Sequence, residues 1–168
     1  MIYKLEHLDK LTNQYIFIVN DVEDVSGRRI DARLLAKRRL SRSCWPLYAN
    51  TNHRLAIKKG DIGLIYLAGK GELAQNFFAH TTIKEVVAVS KEYADLDGLN
   101  VLSTPPASLV LFETIDLLEP VTPIKILLDH LSFIPQNRMK WGAAMQTGCR
   151  KINKEDYEYI ISSSVAGI

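Results

Sequence analysis

Short apolar runs alternate along the chain with polar segments, and their lengths predict strands. QYIFIVN (14–20) and IGLIYLA (62–68) are continuous runs rich in β-branched and aromatic residues, which is typical of buried strands. NFFAHTTIKEVVAVS (76–90) predicts one long strand or two, and SLVLFETIDLL (108–118) predicts another. The pattern therefore predicts a sheet of short strands that twists or closes into a barrel.

Helical spacing appears near both ends of this strand-rich region. Residues 1–14 predict an N-terminal arm or short helix, because leucines recur there at helical spacing. Residues 30–40 predict a basic amphipathic helix. Asn153 is a good N-cap, and acidic residues follow it, so 153–163 predicts a closing helix.

The segments between these elements predict turns and loops. Trp45-Pro46 is expected to end the basic helix, because the residue before proline is pushed out of the α region, and 46–53 then predicts a polar loop. Pro120 and Pro123 are expected to bracket a break, followed by a short helix within 124–134 and a polar loop over 135–148. The fold class is therefore α+β, a twisted β-barrel of about five or six strands flanked by helices.

Composition bounds the class of protein. The 168 residues suffice for a single domain, predicted over 15–168, and 47% hydrophobic and 24% charged residues are ordinary for a soluble globular protein. No apolar run is long enough to span a bilayer, and the charged N-terminus does not look like a secretory signal, which predicts a cytoplasmic protein without a membrane partner. Cys44 and Cys149 lack the spacing of a zinc site and predict two buried reduced thiols.

Positive charge is concentrated in one segment, although the net charge is only +2. RRIDARLLAKRRLSR (28–42) contains seven basic residues and one acid, Asp31. Such a cluster is the usual footprint of a polyanionic partner, and a solvated helix face without a partner explains it equally well.

Both tryptophans, Trp45 and Trp141, lie in predicted polar loops beside basic residues. Two flat rings with space between them could stack on a nucleobase, at roughly 1–3 kcal/mol per base. The alternatives are a core role for Trp45 and an anchoring role for Trp141. Polar side chains near them could contact the edge of such a base or serve turn chemistry instead, namely Asn20, Asp21, Asn50, Thr51 and Asn52.

Four ordered stretches resemble the EVE family, a branch of the PUA-like superfamily that also contains YTH domains. They are FIVN (17–20), WPLYANTNHRL (45–55) with KKGDIGLIY (58–66), LLDHLSFI (127–134), and MKWGAAMQTGCRKINKEDYEYII (139–161). The resemblance implies a small barrel that holds a modified or flipped nucleobase in an aromatic pocket. It also implies that Tyr48 and Phe133 belong to this pocket. The acidic excursion at 92–106 and the N-terminal arm depart from the family pattern.

The basic residues are expected to form a collar around this pocket and to hold phosphates without reading sequence. Binding should then weaken as salt rises. The collar is predicted to contain Arg38, Arg39, Arg42, Arg54, Lys58, Arg138 and Lys140.

No catalytic motif stands out, since the sequence lacks a P-loop, GxGxxG, HExxH or GxSxG. The leading prediction is a binding module without cofactor or metal that reads a modified base, such as a methylated cytosine or adenine, in DNA or RNA. Any effector, such as a nuclease, would be a separate protein. Two alternatives stay open: an RNA-binding PUA-like domain without modification preference, and a small nucleotide-processing enzyme using the same cavity.

Overall fold

A six-stranded sheet organises the computed structural model, which describes residues 12–89 and 105–165. Helices α1 and α2 span Ala32–Ser41 and Lys154–Val165, and 3₁₀ helices span Ile124–Ile126 and Arg138–Met145. The strands are Gln14–Val19 (β1), Val22–Glu23 (β2), Arg29–Ile30 (β3), Cys44–Leu47 (β4), Ile62–Leu67 (β5), Asn76–Ala88 (β6), Ser108–Pro123 (β7) and Cys149–Ile152 (β8).

The sheet has the order β4-β7-β6-β5-β1-β8, and β2 and β3 form a separate small ladder. β1 and β5 pair in parallel, whereas the other neighbours in the large sheet are antiparallel. The sheet curls into a half-barrel, so the predicted α+β fold with about six strands and flanking helices is confirmed. Among the described residues, no helix is both long and apolar enough to cross a membrane.

Two hydrophobic clusters lie on opposite faces of this sheet, because successive side chains of a strand point to opposite sides. On β1, Tyr15, Phe17 and Val19 belong to the first cluster, which α1 covers. Ile16 belongs to the second cluster, which α2 covers through Tyr157 and other residues. β5 divides in the same way, so β1 and β5 are buried on both faces.

A polar side chain caps the start of each of the two α-helices. The Asp31 side chain accepts the N–H of Leu34 at 2.9 Å at the start of α1. Asn153 Oδ1 accepts the N–H of Asp156 at 2.8 Å at the start of α2, as the sequence predicted. The predicted helices at 30–40 and 153–163 are therefore confirmed.

A buried polar contact fastens α2 to the sheet. The Tyr157 hydroxyl lies 2.6 Å from Nε2 of His80 on β6. The other ring nitrogen, Nδ1, lies 3.8 Å from Asp116 Oδ2 on β7. Burial lowers the pKa of His80, and the neighbouring Asp116 carboxylate only partly opposes that shift.

Gly63 on β5 marks a close approach between the ring of Phe17 and the side chain of Thr81. A Cβ at Gly63 would lie 2.5 Å from Phe17 Cε2 and 2.7 Å from Thr81 Oγ1. The Thr81 hydroxyl donates to the Gly63 carbonyl at 2.8 Å. Only glycine therefore fits this position without displacing its neighbours.

Several loop predictions are wrong. Trp45 and Pro46 lie in β4, which is an edge strand and therefore tolerates a proline. β7 continues through Pro120 to Pro123, because the register with β6 shifts there and relieves the ladder at the proline. Neither the short strand β2 nor β8 was predicted.

The prediction for the two cysteines is confirmed, and other predictions concern residues that lie largely outside the described part of the chain. Cys44 and Cys149 are both buried thiols, as predicted, and burial raises the pKa of Cys149 to about 12. The N-terminal arm (1–14) and the acidic excursion (92–106) fall largely outside the described residues. The assignment of 15–168 to a single domain stays a prediction.

Candidate functional site

A cavity of about 400 Å³ opens where β1 and β5 end. Its volume lies within the range of small-molecule and cofactor pockets, roughly 300–1,000 Å³. Because β1 and β5 are parallel neighbours, their carboxyl ends meet at the same edge of the sheet. The lining consists of Asn20, Tyr66, Ala68, Gly69, Gln75, Trp141, Gly142, Met145 and Gln146.

The loop after β5 forms one side of this cavity and is tied to the loop after β1. Ala68 donates its N–H to the Val19 carbonyl at 2.8 Å. Gly69 has φ +83°, and a Cβ there would collide with the carboxylate of Asp21. Glycine is therefore required for both the backbone conformation and the close approach.

Asp21 organises this loop from outside the lining. Its carboxylate accepts the N–H groups of Lys70 and Ala32, each at 2.9 Å, and the Arg29 guanidinium at 2.5 Å. Partial burial acts to raise the pKa of Asp21, but these donors together hold it below its ordinary value. The predicted pocket residue Asp21 is thus a structural anchor that joins the cavity loop to the start of α1.

Gln75 sits at the cavity in a conformation that is uncommon for residues other than glycine, with φ +66°. Its N–H donates to the Leu67 carbonyl at 2.5 Å, and its own carbonyl accepts the N–H of Ile124 at 3.1 Å. Such conformations cost free energy and cluster at functional sites. No sequence pattern indicated Gln75, since a strained backbone conformation depends on the fold around it.

Trp141 also lines the cavity. It lies on the Arg138–Met145 3₁₀ helix and packs, partly buried, against the second hydrophobic cluster. Tyr66 on β5 is buried beside it in the same cluster, and its ring meets that of Phe77 edge-on at 5.2 Å. Burial raises the pKa of Tyr66, so its hydroxyl stays protonated near neutral pH.

The cavity combines aromatic and amide groups. Asn20, Gln75 and Gln146 each carry one amide, which both donates and accepts hydrogen bonds. None of the described residues that line the cavity carries a charge. Such a lining suits a neutral planar ligand with polar edges. Two exposed lysines lie next to lining residues in sequence: Lys70 follows Gly69, and Lys140 precedes Trp141.

The structure places Trp45 away from this cavity. It pairs with Val110 in the sheet, is only 2% exposed, and lies 6.3 Å from the Phe17 ring within the first cluster. The guanidinium of Arg39 lies 5.0 Å above its ring. Trp45 and Trp141 belong to clusters on opposite faces of the sheet, so the predicted cage of two tryptophans is wrong.

The polar run after Trp45 lies elsewhere too. Tyr48 and Asn50 line a second cavity of about 340 Å³ with Ala49 and Pro105. Thr51 caps its own turn, because its hydroxyl accepts the Tyr48 N–H at 2.9 Å and its N–H donates to the Tyr48 carbonyl at 2.9 Å. Asn52 is exposed in the same loop. Thr51 therefore stabilises its own turn, which is the alternative to contacting a base that the sequence left open.

Phe133 packs partly buried against the second cluster beneath the Arg150 guanidinium, which lies 5.2 Å from its ring centre. Arg138 is held by the Pro135 and Ile134 carbonyls, at 2.9 and 3.3 Å, and by Asp129. Neither residue is among those that line the first cavity.

The residues of the predicted collar differ in exposure. Arg39 is 7% exposed and lies over Trp45, so its assignment to an exposed collar is wrong. Arg54 is partly buried, whereas Arg38, Arg42, Lys58 and Lys140 are exposed. Among the residues that the structure covers, no group of three His, Cys, Asp or Glu side chains could hold a metal ion.

The start of α1 lies beside the cavity loop, where Arg33 pairs with Glu72 at 2.7 Å. The exposed Arg38 and Arg42 lie at the other end of this ten-residue helix. At 1.5 Å per residue, the length of α1 from its start beside the cavity loop to its end is roughly 15 Å.

Solved structures share this fold although the sequences differ widely. Human THYN1 in complex with 5-methylcytosine-containing DNA superposes with a TM-score of 0.61 at 14% identity, covering 91% of this chain and 98% of that one. The DUF55 domain of human thymocyte nuclear protein 1 gives 0.58 at 13% identity, covering 90% and 98%. The YTH domain of Zygosaccharomyces rouxii MRB1, in complex with N6-methyladenosine RNA, gives 0.54 at 13% identity, covering 98% and 94%.

These likenesses show that the fold is PUA-like, as the sequence predicted. The sequence matches no family model, and no curated protein resembles it significantly.

Proposed function

We propose that the chain is a nucleic-acid-binding module of the EVE type and that the Trp141 cavity receives a modified nucleobase. The observation that carries this proposal is the lining, in which an indole and three amides meet at the carboxyl ends of β1 and β5. The likeness to THYN1 with 5-methylcytosine DNA and to a YTH domain with N6-methyladenosine RNA supports it. The four ordered EVE-like stretches support the family.

The lining offers separate contacts for the face and the edge of a base. Stacking against Trp141 would contribute roughly 1–3 kcal/mol. Asn20 Oδ1 already accepts the Asp21 N–H at 2.9 Å, which leaves its amide nitrogen as a donor to the ligand. Gln75, held at a fixed backbone conformation, would contact the edge from the side of β6.

Selectivity for a methylated base would be modest. One methyl group buried in the cavity contributes about 1 kcal/mol. That free energy corresponds to roughly a fivefold preference, since about 1.4 kcal/mol is tenfold in affinity. A larger preference would require the amides to exclude the unmodified base.

Phosphates would be held by exposed cations outside the cavity. Lys70 and Lys140 flank the lining, and Arg38 and Arg42 lie at the far end of α1. Each strand of a B-form duplex advances about 3.4 Å per nucleotide along the axis, so the roughly 15 Å length of α1 corresponds to four or five nucleotides of a duplex. Affinity should fall with salt, and the slope should count the contacted phosphates.

A cavity-filling variant tests the proposal directly. A Cβ at Gly142 would meet no heavy atom within 4 Å outside its chain neighbours, so this lining position accepts a side chain, and Gly142→Leu would place an apolar group at the cavity. The matched control is Ala143→Leu, because Ala143 is exposed and outside the lining. We would measure affinities for DNA and RNA oligonucleotides that carry 5-methylcytosine, N6-methyladenine or no modification, at two salt concentrations.

The proposal predicts that Gly142→Leu weakens binding at least about tenfold, a loss of about 1.4 kcal/mol, whereas Ala143→Leu binds like the wild type. A preference for one modified strand would name the ligand. Equal affinity for modified and plain strands that survives Gly142→Leu would refute the cavity and favour an RNA-binding domain without modification preference. Release of a product from a nucleotide would favour an enzyme.

A further inference from the structure

The Arg138–Met145 3₁₀ helix carries a row of residues that continues the cavity wall outward. In a 3₁₀ helix, side chains three residues apart eclipse each other, so positions 139, 142 and 145 form one row. Gly142 and Met145 line the cavity. Met139 is 93% exposed. It is therefore the next position of this row, one 3₁₀ turn before Gly142 and outside the cavity lining.

The backbone beneath Met139 is held firmly. Asn137 Oδ1 accepts the Met139 N–H at 3.1 Å, and the Asn137 carbonyl accepts the Lys140 N–H at 3.0 Å. The preceding Arg138 guanidinium donates to the Pro135 carbonyl at 2.9 Å. Single exposed apolar residues are ordinary on protein surfaces, but this one projects from a fixed turn beside a cavity.

We infer that the partner is a base-paired nucleic acid and that Met139 enters the base stack where a base has left for the cavity. This inference rests on the proposed function. Extruding a base from a duplex costs a few kcal/mol. Apolar side chains, methionine among them, are inserted between base steps by proteins that unstack DNA. Lys140, the next residue, is exposed and can reach a neighbouring phosphate.

Met139→Gln tests the inference, because glutamine keeps the length of the side chain and makes its end polar. The probes are a duplex and the single strand that carries the same modified base, each as DNA and as RNA. A 2-aminopurine placed next to the modified base reports unstacking as a rise in fluorescence. Leu55→Gln is the matched control, because Leu55 is 87% exposed and outside the cavity lining.

We expect Met139→Gln to weaken duplex binding by about tenfold or more and single-strand binding by less than about threefold. The 2-aminopurine signal of the wild-type complex should fall with it, and Leu55→Gln should change neither. Equal losses on both forms, or none on either, would overturn the inference.

The failure of this inference is distinguishable from that of the proposed function. If Gly142→Leu abolishes single-strand binding while Met139→Gln leaves duplex affinity intact, only the wedge is wrong. If Gly142→Leu leaves binding of both forms intact, the cavity is not the site and both proposals fall.

Discussion

Replacing Trp45 separates a core residue from a ligand-binding one. A tryptophan buries about 150–250 Å², which at about 25 cal/mol per Å² corresponds to roughly 4–6 kcal/mol. Measured substitutions of buried tryptophan by alanine cost about 3–5 kcal/mol. With only 2% of Trp45 exposed, we expect Trp45→Ala to lower the free energy of unfolding by about 4 kcal/mol. The Arg39 guanidinium would also lose the ring beneath it.

Urea unfolding followed by far-ultraviolet circular dichroism measures this loss. With a slope of about 2 kcal/mol per molar urea, the midpoint should fall by about 2 M. The conservative Trp45→Phe variant keeps a ring in the core, and it should bind oligonucleotides with wild-type affinity. The reasoning is refuted if Trp45→Ala keeps the wild-type midpoint, or if a stable Trp45→Phe protein binds tenfold more weakly.

Two further predictions concern stability. Because burial lowers the pKa of His80, the unfolded state binds more protons below the ordinary value of 6.5, so the free energy of unfolding should decline as pH falls from 7 to 5. His80 contributes at most about 1.4 kcal/mol per pH unit to the pH dependence of the free energy of unfolding. Urea titrations at several pH values should therefore show a shallower decline for His80→Gln than for the wild type. Equal declines would contradict the lowered pKa of His80. Gly63→Ala should lower the free energy of unfolding by about 1–3 kcal/mol, because its Cβ is forced into a ring and a hydroxyl. Gly142→Ala, where a Cβ meets open space, should change it by less than about 0.5 kcal/mol, and similar losses in both variants would contradict the close approach at Gly63.

The periodicity of the sequence was enough to predict the sheet and both long helices. β1, β5 and α2 are apolar or amphipathic over their whole length, so local pattern and burial agree. The same reasoning failed at β4, where proline suggested a loop. The run Cys-Trp-Pro-Leu is wholly buried, and its continuous apolarity was the available signal for a strand.

The cavity was only partly predictable. Asn20 and Trp141 were both identified, because polar residues after a strand and a tryptophan in a polar segment are visible in sequence. Gln75 and Tyr66 were missed: the backbone of Gln75 is set by distant partners, and Tyr66 looks like any core aromatic. Which face of the sheet each tryptophan occupies depends on strand order, which the sequence pattern does not contain.

The pairing of β8 with β1 has a consequence for how the chain is made. Gln14 of β1 lies opposite Ile152 of β8, so one edge of β1 has no strand beside it until nearly the whole described chain has been translated. At roughly 5–20 residues per second, the interval is on the order of ten seconds. During that time the nascent protein presents an apolar strand with an open edge, which is a template for intermolecular pairing. We therefore expect the sheet to be completed only after β8 has been translated, with the joining of β8 to β1 as a late step.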